Sequence, residues 1–165
     1  MKKQIMTALL ILTAGLAAAP VFSADLAPAK LQAALIIKLL PYYTNIGSKA
    51  ITIHVVGADE VAKELKASIG KAIGKGSLAK VTTGDTLDAS ASVVYIGKNP
   101  AAHITWTQEH KVLSITGDPN LVAEGVTLGI ALEASKPKIF LNLTSSKAEG
   151  ADWNPAILKV AETLS

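Results

Sequence analysis

Residues 70–77 are rich in glycine and lysine and invite a search for phosphate chemistry. They read Gly-Lys-Ala-Ile-Gly-Lys-Gly-Ser. A nucleotide-binding P-loop has four residues between its first glycine and the Gly-Lys pair, and a hydroxyl residue after the lysine. Here three residues intervene, and Gly76 takes the place of the hydroxyl residue. Because the segment also follows a predicted helix rather than a strand, it is predicted to be a flexible surface loop.

The three histidines, His54, His103 and His110, are the imidazoles available for metal binding or proton transfer. His103 and His110 are seven residues apart, whereas zinc-binding histidines on one helix are typically four apart. Glu109 adds a carboxylate, but no third ligand is fixed beside it. His54 lies in an apolar strand, where a hydrogen-bonded structural histidine is expected. A metal site is not predicted.

Nucleophilic catalysis lacks its usual residues in this sequence. There is no cysteine and no G-x-S-x-G nucleophile elbow. Asp85 and Asp88 form a close pair of carboxylates, but they lie in a turn rich in glycine, threonine and serine, where aspartates commonly accept backbone hydrogen bonds. The chain is therefore predicted not to be an enzyme and to need no cofactor.

Four aromatic residues are candidates for contact with another protein: Tyr42, Tyr43, Trp106 and Trp153. Polar residues flank both tryptophans, which favours partial exposure. Tryptophan and tyrosine are enriched among the residues that dominate protein interfaces. Burial in the core is the alternative for each of the four.

Alternating apolar segments predict the scaffold that positions these groups. Short β-branched runs that end at glycine indicate buried strands, and apolar residues spaced by three or four indicate helices. Helices are predicted at residues 30–43, from 59, at 99–109 and from 154 to the end; strands are predicted at 51–56, 78–83, 92–96, 111–116, 126–133 and 138–143.

This alternation of strands and helices predicts one α/β domain. The last two strands are separated by residues 135–137, a short turn that favours an antiparallel hairpin. The expected architecture is a single-domain sandwich with a mixed β-sheet flanked by helices, a C-terminal β-hairpin and a closing helix.

The first residues have the pattern of a secretory signal peptide. Lys2 and Lys3 precede an uncharged apolar run over residues 5–19, which is shorter than the roughly 20 residues of a membrane-spanning helix. Cleavage is predicted after Ser23, with Ala24 as the alternative. The predicted organisation is a cleaved signal at residues 1–23 and a periplasmic domain at 24–165.

The charge balance argues against nucleic acid as a partner. All 16 basic residues are lysines, and there are 13 acidic residues. Arginine, the usual ligand of phosphate and guanine, is absent. Without Lys2 and Lys3 the counts are 14 and 13, a net charge of +1, so little electrostatic attraction to a polyanion remains.

Seven segments occur in an order that resembles the YfiR family of exported bacterial proteins, over residues 30–164. They read KLQAALIIK at 30–38, ITIHVVGAD at 51–59, VVYIG at 93–97, KVLSITGD at 111–118, GVTLGIALE at 125–133, IFLNL at 139–143 and ILKVA at 157–161. Gly57, Gly125 and Asn142 occupy family-matched positions, for which structural roles are expected.

The resemblance implies a function that composition alone does not supply. The best-understood members of the family bind the sensor domain of an inner-membrane diguanylate cyclase and hold it inactive until an outer-membrane lipoprotein sequesters them. Such relatives are dimeric, so a homodimer is implied. The cysteines that form disulfides in characterised members are missing, so redox regulation is not implied here. The alternative function is a small-molecule-binding component of an uptake system.

Overall fold

A computed structural model describes residues 24–47 and 49–165. The predicted signal peptide, residues 1–23, lies outside the described residues. Within them, one mixed sheet of nine strands forms the centre of the protein. The strands are β1 Asp25–Leu26, β2 Ala50–Val56, β3 Ala72–Ile73, β4 Gly76–Thr83, β5 Val93–Ile96, β6 Leu113–Thr116, β7 Leu128–Glu133, β8 Lys136–Asn142 and β9 Ala161–Leu164.

The sheet is doubly wound, because the chain adds strands on both sides of β2. Its strand order is β3-β4-β2-β5-β6-β7-β8-β9, and β1 pairs with the carboxyl-terminal half of β7. Strands β4, β2, β5, β6 and β7 are parallel, β8 is antiparallel to β7, and β9 is parallel to β8. Counted along the chain, the five parallel strands lie in the order 2-1-3-4-5, which is that of flavodoxin-like folds. The predicted α/β class with a mixed sheet is confirmed.

Helices cover both faces of the sheet. Side chains alternate along each strand, so Val93 and Tyr95 of β5 face one layer while Val94 and Ile96 face the other. The helices are α1 Ala29–Leu39, α2 Asp59–Lys66, α3 Pro100–His110, α4 Pro119–Glu124 and α5 Leu143–Ala148, with 3-10 turns at Leu40–Tyr42, Thr44–Ile46 and Pro155–Lys159. The first layer contains α1 and α2 with the larger hydrophobic cluster, and the second contains α3 and α4.

Helices α4 and α5 were not predicted, because six residues are too few to show a helical period. Each begins at a side-chain cap. The Asp118 carboxylate accepts a hydrogen bond from the Asn120 backbone N–H, and the Asn142 side-chain oxygen accepts one from the Ser145 N–H, both at 2.9 Å. Such caps satisfy backbone donors that the first helical turn leaves unpaired.

The predicted closing helix is wrong. A 3-10 turn, Pro155–Lys159, follows Asn154, and the chain then extends as β9 along the free edge of β8. The carboxylate of Glu162 lies 2.6 Å from the Lys138 Nζ, and Leu164 packs near Phe140. Pairing with unpaired backbone groups of β8 therefore outweighs the local helical spacing.

Two turns differ in detail from the sequence prediction. The C-terminal hairpin is confirmed, but its turn residues are Ala134 and Ser135, both with positive φ. The predicted loop at residues 70–77 contains β3, which pairs with the start of β4 in a second antiparallel hairpin. The glycines and lysines of that loop thus form a hairpin at the sheet edge.

Candidate functional site

An open cleft of about 360 Å³ lies beyond the carboxyl ends of β2, β5 and β6. After β2 the chain returns to the sheet on one side, as β4, and then crosses to the other side, as β5. In doubly wound sheets ligands bind at this switch point, because the loops diverge there and leave a crevice. Topology therefore makes the cleft the candidate functional site.

Two glycines allow the loops after β2 and β5 to cross closely at the cleft. Gly57 has a φ of +62°, and a Cβ at this position would overlap the side chain of Lys98. A Cβ on Gly97 would lie 2.7 Å from the Gly57 carbonyl oxygen. Gly57, one of the family-matched residues, is thus required by backbone conformation and by space.

The floor of the cleft is a buried polar pair. The Tyr95 hydroxyl donates to Gln32 Oε1 at 2.5 Å, and Gln32 Nε2 donates to the Ala27 carbonyl oxygen at 2.6 Å. Burial, with a smaller contribution from the neighbouring Asp118 carboxylate, raises the pKa of Tyr95 to about 12. The hydroxyl therefore stays a neutral donor, and Gln32 connects α1 to both β5 and the segment after β1.

The rim of the cleft is acidic. Asp59 and Glu60 lie in the first turn of α2, and Asp118 lies after β6. Glu60 is 3.9 Å from Lys63 in an exposed pair. The positive end of the α2 dipole, equivalent to about half a charge, offsets these carboxylates only in part.

Tyr95→Phe is expected to lower the free energy of unfolding by about 1–2 kcal/mol, because Gln32 Oε1 loses its buried donor. Urea denaturation followed by circular dichroism measures this. Tyr42→Phe, at a half-buried ring, is the matched control and is expected to change stability by less than about 0.5 kcal/mol. Equal losses in the two variants would show that the Tyr95 hydroxyl contributes nothing specific.

A second polar site is centred on Glu149, which is only 1% exposed. Its Oε1 accepts from the Thr107 hydroxyl at 2.8 Å; its Oε2 accepts from the Ser114 backbone N–H at 3.0 Å and from the Thr127 hydroxyl at 2.7 Å. Burial raises the pKa of Glu149, and these hydrogen bonds oppose the rise. The carboxyl joins the end of α5 to α3, β6 and the residue before β7.

Sequence reasoning missed Glu149 altogether. It stands between Ala148 and Gly150 at the end of a short helix, a setting typical of a solvated turn. Its three partners are 22 to 42 residues away along the chain. No local signal marks such a residue.

The structure separates the four candidate interface aromatics into two places. Tyr43 is buried and Trp153 half-buried, with ring centroids 5.5 Å apart, and the Trp153 indole N–H donates to the Ser146 hydroxyl at 2.8 Å. Tyr42 adjoins this pair and is half-buried. Trp106 lies on α3 in the opposite layer, where its ring stacks on the exposed His110 at 4.1 Å.

The other predicted residues have structural partners. His54 is buried, with Nδ1 2.8 Å from the Thr82 hydroxyl and Nε2 2.9 Å from the Gly84 carbonyl oxygen. The Asp88 carboxylate accepts from the Ser90 N–H at 2.8 Å, which lowers the pKa of Asp88. In the part of the chain that the structure describes, no three His, Asp or Glu side chains are grouped as metal ligands.

The remaining family-matched residues lie at helix ends. Gly125 follows α4 with a φ of +123°, a conformation that favours glycine. Besides capping α5, Asn142 donates through Nδ2 to the Val122 carbonyl oxygen at 2.8 Å. Both residues thus fix the ends of the short helices near β7 and β8.

The strand order and the cleft define a doubly wound α/β domain with its crevice at the switch point. Residues 29–162 match the family described as YfiR/HmsC-like, and the chain belongs to that family. The family is generally known for periplasmic regulators of diguanylate cyclase signalling and is regulatory rather than catalytic. The sequence resemblance is thereby confirmed.

The fold is similar to the crystal structure of a conserved domain protein from Vibrio cholerae O1 biovar El Tor. The TM-score is 0.60 with 16% sequence identity, over 86% of this chain and 61% of that chain. This chain therefore spans about three fifths of the length of that protein. No curated protein matches the sequence. Among residues 24–47 and 49–165, no helix has the length and apolar character needed to cross a bilayer.

Proposed function

We propose that the protein is a periplasmic regulator that binds the sensor domain of an inner-membrane diguanylate cyclase and holds the enzyme inactive. The observation that carries this proposal is the family match over residues 29–162, which includes nearly the whole described domain. The predicted signal peptide supplies the route to the periplasm. A homodimer and release by an outer-membrane lipoprotein belong to the same proposal.

Trp106 is the best-placed interface residue of the four aromatics. Its ring is partly exposed on α3 and is held in place by stacking on His110. A large, rigid aromatic side chain loses little entropy on binding and buries much apolar area, so truncation at such positions is typically costly. Tyr43 is buried, and Trp153, which is half-buried as Trp106 is, packs beside Tyr43 and donates its indole N–H to the Ser146 hydroxyl.

Crosslinking in cell envelopes, followed by purification of the protein, tests the proposal. A membrane sensor with a cyclase output should be recovered, and deletion of the gene should raise cyclic-di-GMP. Recovery of no such protein, together with unchanged cyclic-di-GMP, would contradict the proposed function.

Trp106→Ala is expected to weaken the complex about tenfold or more without loss of folded protein, because interface tryptophans typically contribute well over 1 kcal/mol. Glu109→Ala, at an exposed position of the same helix, is the control and should bind normally. Binding assays with the isolated sensor domain measure both. Wild-type affinity in Trp106→Ala would show that Trp106 does not lie in the interface. The regulatory role itself is tested separately, by the crosslinking experiment in cell envelopes.

The cleft supports a second candidate function, a small-molecule-binding component of an uptake system. Its position at the switch point is the observation in favour. Loss of uptake of a bound compound on deletion, with unchanged cyclic-di-GMP, would favour this function over the regulatory one.

A further inference from the structure

We propose that the cleft at the switch point binds a small organic cation, a protonated amine on an apolar body. This goes beyond regulation of a cyclase, since it concerns what the isolated domain itself binds. Four features of the cleft support it: its space, the sign of the charges around it, the hydrogen-bonded polar groups of its floor and the chain segment that forms one wall.

The space arises from small side chains at the crossing of the loops. Ala27, Ala29 and Ala58 line the cleft, and together they leave a volume of about 360 Å³. On the same wall Leu26 is 67% exposed, a large apolar side chain open to solvent. These walls suit an apolar body of roughly ten heavy atoms, because apolar surface that leaves water stabilises the bound state.

The charges that line the cleft are negative. Asp59, Glu60 and Asp118 line it, and no lysine among the described residues does. Lys98 directs its ammonium to Asp85 at 3.3 Å. An anionic ligand would therefore be repelled, whereas an ammonium group gains charge-assisted hydrogen bonds from carboxylates at the rim.

The polar side chains of the floor already have hydrogen-bond partners within the protein. Tyr95 donates to Gln32, and Gln32 donates to Ala27. A ligand whose polar groups had to pair with the floor would break this chain of hydrogen bonds. A compound whose only polar group is an amine at the rim leaves it intact.

One wall is a short strand with few hydrogen-bonded neighbours. β1 pairs with β7 only through Asp25 with Leu132 and Leu26 with Ala131. Such a short pairing opens at low free-energy cost. A ligand that contacts Leu26 and Ala27 should therefore slow hydrogen exchange at the backbone amides of residues 25–27.

Three phenyl compounds that differ in charge test the inference. The protein is purified from cells that express the full chain. The probes are 2-phenylethylammonium, the neutral 2-phenylethanol and the anionic 3-phenylpropanoate. NMR titration should show that the ammonium compound shifts the Gly57 and Gly97 amide signals and binds about tenfold or more tightly than the alcohol, while the carboxylate does not bind. Failure of the ammonium compound to bind, or equal affinity for all three, would overturn the inference.

The variant D59N/D118N tests whether the rim carboxylates select the cation. Asparagine keeps the cap of α4, so the fold is expected to persist. The affinity for 2-phenylethylammonium should fall about tenfold or more, and the ligand's protection of the amides of residues 25–27 against exchange should fall with it. The control Glu109→Gln, on the opposite layer, should bind as the wild type does. Unchanged affinity in D59N/D118N would contradict a charge-selected site, and since no partner takes part, this result leaves the regulatory proposal untouched.

Discussion

Glu149→Ala is expected to lower the free energy of unfolding by about 3 kcal/mol or more. The change removes the acceptor of three buried donors. The Thr107 hydroxyl can turn to the Ile104 carbonyl oxygen, but the Ser114 backbone N–H and the Thr127 hydroxyl are left without a partner. Each buried donor left without a partner costs about 1–3 kcal/mol. Since small domains have total stabilities of only about 5–15 kcal/mol, urea denaturation should show a large fall in the midpoint.

Glu149→Gln separates the hydrogen bonds from the charge. The amide oxygen can accept from Ser114 and Thr127, and the amide nitrogen can donate to the Thr107 hydroxyl oxygen. The Thr107 proton then turns to the Ile104 carbonyl oxygen, 3.0 Å away. Glutamine thus preserves the network, and the free energy of unfolding of Glu149→Gln at neutral pH should equal or exceed that of the wild type.

The difference in the free energy of unfolding between the wild type and Glu149→Gln should depend on pH. Burial raises the folded-state pKa of Glu149 above its ordinary value of 4.5, so the folded protein binds the proton more tightly than the unfolded chain. The stability from this group is therefore fully present below pH 4.5 and is lost as the pH rises through the folded-state pKa. The nearby Tyr43, whose pKa is raised to about 12 mainly by burial, stays neutral in this range.

Unfolding measured at several pH values checks these expectations, with Glu124→Ala at an exposed helix end as the matched control. That control should stay within about 0.5 kcal/mol of the wild type. If Glu149→Gln were as unstable as Glu149→Ala, the negative charge rather than the hydrogen bonds would stabilise the site.

Trp153→Ala is expected to cost about 3 kcal/mol, in the range for truncating a large packed aromatic side chain. The indole packs beside Tyr43 and donates to the Ser146 hydroxyl, and the backbones of residues 43 and 153 form an isolated β-bridge. Losing the ring therefore loosens the contact between the end of α1 and the segment after α5. Urea denaturation followed by circular dichroism measures the loss, since Trp106 would complicate a fluorescence signal.

Trp153→Phe is the partner variant for this prediction. It keeps a ring next to Tyr43 and removes only the indole N–H, so a loss of about 1 kcal/mol is expected. The two tryptophans should then differ: Trp153→Ala lowers stability, while Trp106→Ala lowers partner affinity. Full stability in Trp153→Ala, with weakened partner binding, would return Trp153 to the interface candidates.

The central strands were predictable from sequence because a parallel strand covered on both faces is a continuous apolar run. The predictions at 51–56 and 92–96 lie within one residue of β2 and β5. Gly57 and Gly97, which follow these two strands, indicated the turns that line the cleft. The helix predicted from residue 154 onward was wrong. Ile157, Leu158, Ala161 and Leu164 have helical spacing, but residues 161–164 extend because they pair with the free edge of β8.

Periodicity and glycine positions are local properties, so the amino-acid sequence was enough to predict the α/β class and most of the parallel strands, and the order of its segments was enough to predict the family. Which strands are neighbours depends on the folded chain, because backbone hydrogen bonds between strands carry no side-chain signature. The switch point between β2 and β5 follows from that order, and with it the cleft. Glu149 became a buried acceptor for the same reason: its partners Thr107, Ser114 and Thr127 come together through packing and not through spacing along the chain.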